Sequence, residues 1–347
     1  MASVEIVTER WRSFFSERVR RHQDLVASYV RYVERQLDAG LPPIFDLTHL
    51  AQLVGIETDV VAALVNNTKA YYRTFSIPKR RGGLRTIDAP IPSLLICQKW
   101  VSKSILSKHP LHSACHGFRE GRSILTNAAA HLGSDYLLKL DIHNFFPSIG
   151  FRRGLALFRR LGYPPNVCFY LTSLCFLEGK LPQGSAASPG LSNIIASKLD
   201  HKLASLAESQ GIVYTRYADD LTFSGRMIDA HILGGIIKTL LSEGFRENPS
   251  KTLLLGPGRK KIITGISISS GKPKLPRSSV RAIKLKCYHL ITKGAQQHMN
   301  NIGEFDPLIV ERVIGQVSFW LQVEPDNVTA QSLLAELETL QLELDFA

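Results

Sequence analysis

YLLKLDI (residues 136–142) and IVYTRYADDLTFSG (residues 212–225) are the two stretches whose reading decides the fold. The first is a short apolar run ending on a carboxylate, too short for a helix and suited to a buried strand. The second reads as two strands around a tight turn that carries Asp219 and Asp220. Neighbouring residues on a strand face opposite ways, but at a turn Asp219 and Asp220 can both reach one site. Two adjacent acids in an apolar hairpin are costly unless something neutralises them. With a third acid, Asp141, on a neighbouring strand, the set suits two hard cations such as Mg²⁺ about 3.5–4 Å apart. One ion would lower the pKa of an attacking hydroxyl, and the other would stabilise the leaving group. An Asp-Asp turn alone says little, because Asp is common in turns. Its surroundings carry the argument.

Working outward, residues 1–40 read as helix, closed by Gly40 and broken by Pro42-Pro43. Asp46 or Thr48 is expected to cap a helix through Leu53. YYRTFSIPKRRGGLRTIDAPI (71–91) alternates and turns at Gly82-Gly83, which predicts a basic hairpin. Residues 94–108 read as helix. Pro164-Pro165 precede a helix over 166–178, and after the loop LPQGSAASPG comes LSNIIASKLDHKLASLAESQ, a helix with a small-residue face. Residues 228–243 read as helix, KIITGISIS (261–269) as one strand, and PKLPRSSVRAIKLKCYHLITKG as the start of a basic helical region. The last segment sets Leu333, Leu337, Leu340 and Leu344 on one helical face. Strands and helices mix without strict alternation, so the fold class is α+β: a sheet with helical additions rather than a doubly wound sheet.

The chain has 347 residues, enough for two or three subdomains. No apolar run approaches the roughly 18 residues of a membrane span, and the first residues have no secretory apolar core. Five cysteines at wide spacing, with no C-x-x-C pair, predict reduced thiols in a cytoplasmic protein. Net charge is +12, and its distribution is uneven. From Asn248 to Gly303 there are eleven Lys or Arg and no acid; from Glu304 onward there are nine acids and one base, Arg312. The basic block reads as a track for phosphates, and the acidic block as a separate face.

Taken together, the segment order resembles the reverse transcriptase family over roughly residues 70–325. Asp141 is followed by Phe145-Phe146, then by the Gln183-Gly184-Ser185-Ala186-Ala187-Ser188-Pro189 loop, then by Tyr217-Ala218-Asp219-Asp220, then by Lys251 after Asn248-Pro249-Ser250. Within that family the chain is most similar to bacterial retron reverse transcriptases. Asn127-Ala128-Ala129-Ala130-His131 matches their N-A-x-x-H signature. Ile263-Thr264-Gly265 resembles their V-T-G signature, with Ile in place of Val.

The resemblance implies a right-hand polymerase: an N-terminal helical extension over 1–40, fingers over 41–133, palm over 134–270 and a helical thumb over 271–347. It implies metal binding by Asp141, Asp219, Asp220 and the neighbouring Ile142, and Lys251 as the group that protonates the leaving pyrophosphate. Lys79 and Arg85 on the basic hairpin would hold the dNTP triphosphate; Arg80 and Arg81 could instead hold template. Phe146 would pack under the incoming sugar and exclude a 2′-hydroxyl. Gln183 and Gly184 would approach nucleotide and templating base, since glycine permits close backbone contact. Asn127, His131 and Thr264 would contribute to RNA binding, although a lone histidine is more often a packing residue. Arg277, Arg281, Lys284 and Lys286 would follow an RNA–DNA hybrid by phosphate contacts.

A retron enzyme implies a structured non-coding RNA as template and primer, extension from an internal guanosine 2′-hydroxyl, a branched multicopy single-stranded DNA (msDNA), and antiphage defence with a separate effector protein. The residues after Gly271 are needed for a thumb, so template removal would fall to a ribonuclease H acting in trans. The alternatives are an intron-type or other bacterial reverse transcriptase, a nucleic-acid-binding protein on a polymerase scaffold, and a polymerase acting without template.

Overall fold

The computed structural model describes residues 4–18, 23–79, 82–303 and 305–345. Helices α1 (Val4–Arg18) and α2 (Gln23–Asp38) open the chain. Next come α3 (Leu47–Val54) and α4 (Thr58–Asn66), with the hairpin strands β1 (Tyr72–Pro78) and β2 (Leu84–Pro90) after them. Helices α5 (Pro92–Ser104) and α6 (Ile124–Ala129) lead to β3 (Tyr136–Asp141). Then α7 (Phe151–Arg160), α8 (Pro165–Cys175) and α9 (Ser188–Ser209) precede β4 (Val213–Tyr217) and β5 (Asp220–Gly225). After α10 (Ala230–Ser242) lie three short strands, β6 (Leu253–Leu255), β7 (Ile262–Ile263) and β8 (Ile266–Ser267). The chain finishes with α11 (Arg277–Ile302), α12 (Ile309–Val323) and α13 (Val328–Asp345). No single described helix is long and apolar enough to cross a membrane. All five cysteines are buried thiols.

The chain divides into two compact units. One comprises Met1–Phe118, Ile142–Lys202 and Ile237–Glu247; the other comprises Arg119–Asp141, Leu203–Ile236 and Asn248–Ala347. In the first unit, Trp11, Phe15, Tyr29 and Phe45 join α1 and α2 to the following loop. Asp46, rather than Thr48, caps α3 by accepting the His49 amide at 2.7 Å. Gly55 ends that helix at φ 80, a left-handed value that suits glycine. The basic hairpin pairs Tyr72 with Pro90 through to Pro78 with Leu84. Arg80 and Arg81 lie outside the described residues.

The second unit carries a four-stranded antiparallel sheet in the order β4-β5-β3-β6. Residues directly opposite share a face, and faces alternate along each strand. Register therefore sends Leu137, Lys139, Asp141, Thr215, Tyr217, Asp220, Thr222 and Ser224 to one side. The other side receives Leu138, Leu140, Tyr214, Arg216, Leu221 and Phe223, and there the rings of Tyr214 and Phe223 stack at 4.8 Å.

The same unit has a helical core in which Trp320, Val313 and Val317 of α12 pack with Cys287 and Leu290 of α11 and Leu337 of α13. Leu333 and Leu340 pack against this core; the Leu344 side chain lies outside the described residues. Residues 261–269, read above as one strand, fold back on themselves. Thr264 at φ 45 and Gly265 at φ 90 turn the chain, and Ile263 pairs with Ile266. The apolar alternation concealed a two-residue turn, and Thr-Gly is its only local mark.

Candidate active site

Asp141 and Asp220 stand directly opposite each other in the β3–β5 register. Tyr217 pairs with Asp220 across β4–β5, which leaves Ala218 and Asp219 as the hairpin loop. Ala218 has φ 57, unusual for a residue with a Cβ. The turn is braced from behind by Arg216, fully buried, whose Nη1 donates to the Ala218 carbonyl at 3.2 Å. The sequence reading passed over Arg216, although a charge inside an apolar strand two residues before the turn marks it.

Asp141 is held from both ends. The Asn248 amide donates to its carbonyl at 2.8 Å, and Lys251 Nζ lies 2.6 Å from its Oδ2. Lys251, the expected acid, is thus ion-paired with a candidate metal ligand. Burial pushes the Asp219 carboxyl up to about 6, with the charges of Asp141 and Asp220 adding to it. Asp220 is also raised, first by burial, with Asp141 adding and Lys139 opposing.

The donor set fits hard divalent cations. It consists of carboxylate oxygens, and burial disfavours the charged forms of Asp219 and Asp220, which a cation would favour. As they stand, the described residues contain no group of three His, Cys, Asp or Glu side chains that could hold a metal ion, so the three aspartates fit a cation by donor chemistry rather than by a preformed cluster.

The remaining expected residues fall into two groups. Lys79, Arg85, Ile142, Phe146, Gln183 and Gly184 belong to the first unit. Lys79 and Arg85 are exposed, and Arg85 is opposite Ile77, so alternation sets both cations on one side of the hairpin. Ile142 is buried and bridges to Glu247. Phe145 is core, Phe146 is half-buried, and both lie in a turn rather than on a strand.

Gly184 has φ 131, and a Cβ there would stand 2.4 Å from the Asp88 carbonyl oxygen. The Asp88 amide donates to the Gln183 carbonyl at 2.7 Å. The close approach that this glycine permits is therefore to β2. Gln98, fully buried and missed from sequence, ties the loop down. Its Oε1 accepts the Ala186 amide at 3.3 Å, and its Nε2 donates to Tyr72 Oη at 2.7 Å.

In the second unit Asn127 and His131 are fully buried, so neither side chain offers a surface to RNA here. His131 Nδ1 lies 2.7 Å from Ser224 Oγ, and its Nε2 lies 2.7 Å from Thr215 Oγ1. It bridges β4 and β5 on the face that carries Asp141 and Asp220. Asn127 Nδ2 reaches Thr264 Oγ1 at 3.5 Å, and Thr264 donates to the Ile124 carbonyl at 3.3 Å. The two signature segments thus pack on each other. Arg277, Arg281 and Lys284 are exposed along α11. Lys284 Nζ sits 5.8 Å from the centre of the Trp320 ring, and Lys286 donates to Gln316 at 3.3 Å.

An antiparallel sheet with acids on adjacent strands, a strained residue in the turn before two of the acids and a lysine paired with the third matches the catalytic module of a metal-dependent nucleotidyltransferase. The family model for reverse transcriptase (RNA-dependent DNA polymerase) matches residues 77–264. The retron Ec86 reverse transcriptase of Escherichia coli is 32% identical over 311 residues, covering 88% of this chain and 93% of that protein. The retron Mx162 reverse transcriptase of Myxococcus xanthus is 35% identical over 347 residues, covering 89% and 70%. The chain belongs to the reverse transcriptase family, among its bacterial retron members, and is an RNA-directed DNA polymerase with an α+β fold. Enzymes of this family depend on divalent metal.

Proposed function

We propose that this enzyme copies a dedicated structured non-coding RNA. It starts from the 2′-hydroxyl of an internal guanosine and makes branched msDNA that serves antiphage defence in the cytoplasm. The observation that carries this reading is likeness to a retron enzyme along 93% of that enzyme's length. Interlocking of the two retron-like signatures through Asn127 and Thr264 supports it.

In this reading Asp141, Asp219, Asp220 and the Ile142 main chain would hold two Mg²⁺ ions, whose charge would lower the pKa of the primer hydroxyl and offset that of the leaving pyrophosphate. Lys251 delivers a proton to pyrophosphate once it leaves Asp141. Lys79 and Arg85 clamp the triphosphate, Gln183 and Gly184 border the nucleotide, and Phe146 excludes the ribose 2′-hydroxyl. Arg277, Arg281, Lys284 and Lys286 track the RNA–DNA hybrid through phosphates, so binding weakens steeply with salt. Asn127, His131 and Thr264 serve RNA binding indirectly, by holding the β7–β8 hairpin and the sheet in place. In the same reading the fingers span 41–133, the palm 134–270 and the thumb 271–347, after the extension over 1–40. Ribonuclease H and the effector act as separate proteins.

The test is to purify the protein from its host and sequence the nucleic acid bound to it. A single RNA species joined to DNA by a 2′,5′ branch is the expected product. Heterogeneous linear RNA, or extension that survives Asp219→Ala or EDTA, would refute the reading.

A further inference from the structure

Phe118 is an outlier on three counts. Its φ of 53 is a left-handed value that a bulky side chain rarely adopts. Its side chain is large and apolar, yet 49% of the residue is exposed. Its ring also meets the Phe146 ring, at 6.2 Å between centroids and 45° between planes. Strain of this kind persists only where the surroundings impose it.

Here they do. Asn193 of α9, fully buried, donates from Nδ2 to the Gly117 carbonyl at 2.8 Å and to the Phe118 carbonyl at 3.5 Å. The residues just before, Cys115 and His116, are buried and anchor the segment from the other side. Phe118 is therefore presented, not merely left over.

What it is presented to is the end of an aromatic row. Phe245 and Phe145, each 2% exposed, stand 5.8 Å apart; Phe145 and Phe146 stand 5.6 Å apart; Phe118 closes the row. All four belong to the first unit. The row fixes Phe146 on its inner side through Phe145. On its outer side, toward solvent, the ring in contact is Phe118.

We propose that Phe118 is a specificity-determining residue: an outer brace that holds the Phe146 ring in the position from which it excludes a 2′-hydroxyl. The inference rests on the reading of Phe146 as sugar gate and extends it to a residue 28 positions earlier in the chain. A gate works by steric exclusion, and exclusion fails when the ring can swing away. Contact on one side alone leaves that motion open, and a second ring closes it.

The test compares dNTP with rNTP incorporation, as the ratio of kcat/KM values on one primer–template, using the full-length protein. Phe118→Asn removes the ring while keeping a residue that tolerates left-handed backbone. Phe118→Tyr keeps the ring. Phe118→Asn should lower the dNTP preference by about three- to tenfold, the scale of one aromatic pair, with an unchanged thermal midpoint. Phe118→Tyr should restore it. The double variant with Phe146→Ala should be no less selective than Phe146→Ala alone, because both act on one ring.

If Phe146→Ala relaxes selectivity and Phe118→Asn does not, the brace is overturned and the gate stands. If neither does, the gate reading fails and takes the brace with it. If Phe118→Asn acts while Phe146→Ala does not, or if the two losses add, Phe118 works independently and the brace is again overturned.

Discussion

The two ends of one sheet face treat buried polarity in opposite ways. At one end Asp141 and Asp220 face each other with Asp219 beside them, and burial and mutual repulsion lift Asp219 to about 6. At the other end, on the same face, His131 has a hydroxyl 2.7 Å from each ring nitrogen. Asp141 is paired with Lys251, Asp219 and Asp220 are kept from ionising chiefly by burial, and their turn is strained at Ala218, whereas the imidazole is buried with a partner on each nitrogen. A site that must take up cations keeps carboxyls whose charge a cation would favour, and a structural clamp does not.

The comparison breaks most visibly through activity. Asp219→Ala should abolish primer extension, by about a thousandfold or more, with the fold intact by circular dichroism. The clamp predicts the reverse pattern. His131→Ala strands the Thr215 hydroxyl and leaves Ser224 with Ser134 as its partner, so it should cost about 1–3 kcal/mol of stability in urea titration. Residual activity per folded molecule should fall far less than in Asp219→Ala. An active-site loss as complete as that of Asp219→Ala, in protein that remains folded, would erase the distinction between the two ends.

A pH series sharpens it. A carboxyl raised from 3.8 to about 6 is penalised when ionised in the folded state. Its cost is absent below the unfolded value and complete above about pH 6. In metal-free protein Asp219→Asn should therefore stabilise by about 1–3 kcal/mol near pH 8 and by almost nothing below about pH 3. By the same argument Mg²⁺ should raise the thermal midpoint more near pH 8 than near pH 5, where protons compete for the carboxylates. The smallest effect belongs to the turn: Ala218→Gly should relieve the positive φ and gain at most about 1 kcal/mol, because glycine's added unfolded-state entropy offsets part of the strain.

Much of the site was legible because its marks are local. Tyr217 to Asp220 form a turn between two apolar strands, Asp141 ends a third, and Asp46 caps a helix within four residues. What the sequence hides is of a different kind. Residues 261–269 read as one strand because apolar alternation runs straight through the Thr264-Gly265 turn. Gly184 advertises a close approach without naming what approaches, and one neighbour that only the fold supplies is the Asp88 carbonyl. The signature around Asn127 and His131 gives no sign that both side chains face inward; burial reveals it.

The sequence by itself determined the chemistry: which acids exist, that they sit at strand ends, and that a basic stretch without acids follows them. These properties depend on residue type and short spacing. Tertiary structure alone decided which groups meet which partners. Register brought Asp141 opposite Asp220, carried Lys251 to Asp141 over 110 positions, and set His131 between Thr215 and Ser224. Desolvation and hydrogen bonding depend on neighbours in space, and only the folded chain supplies them.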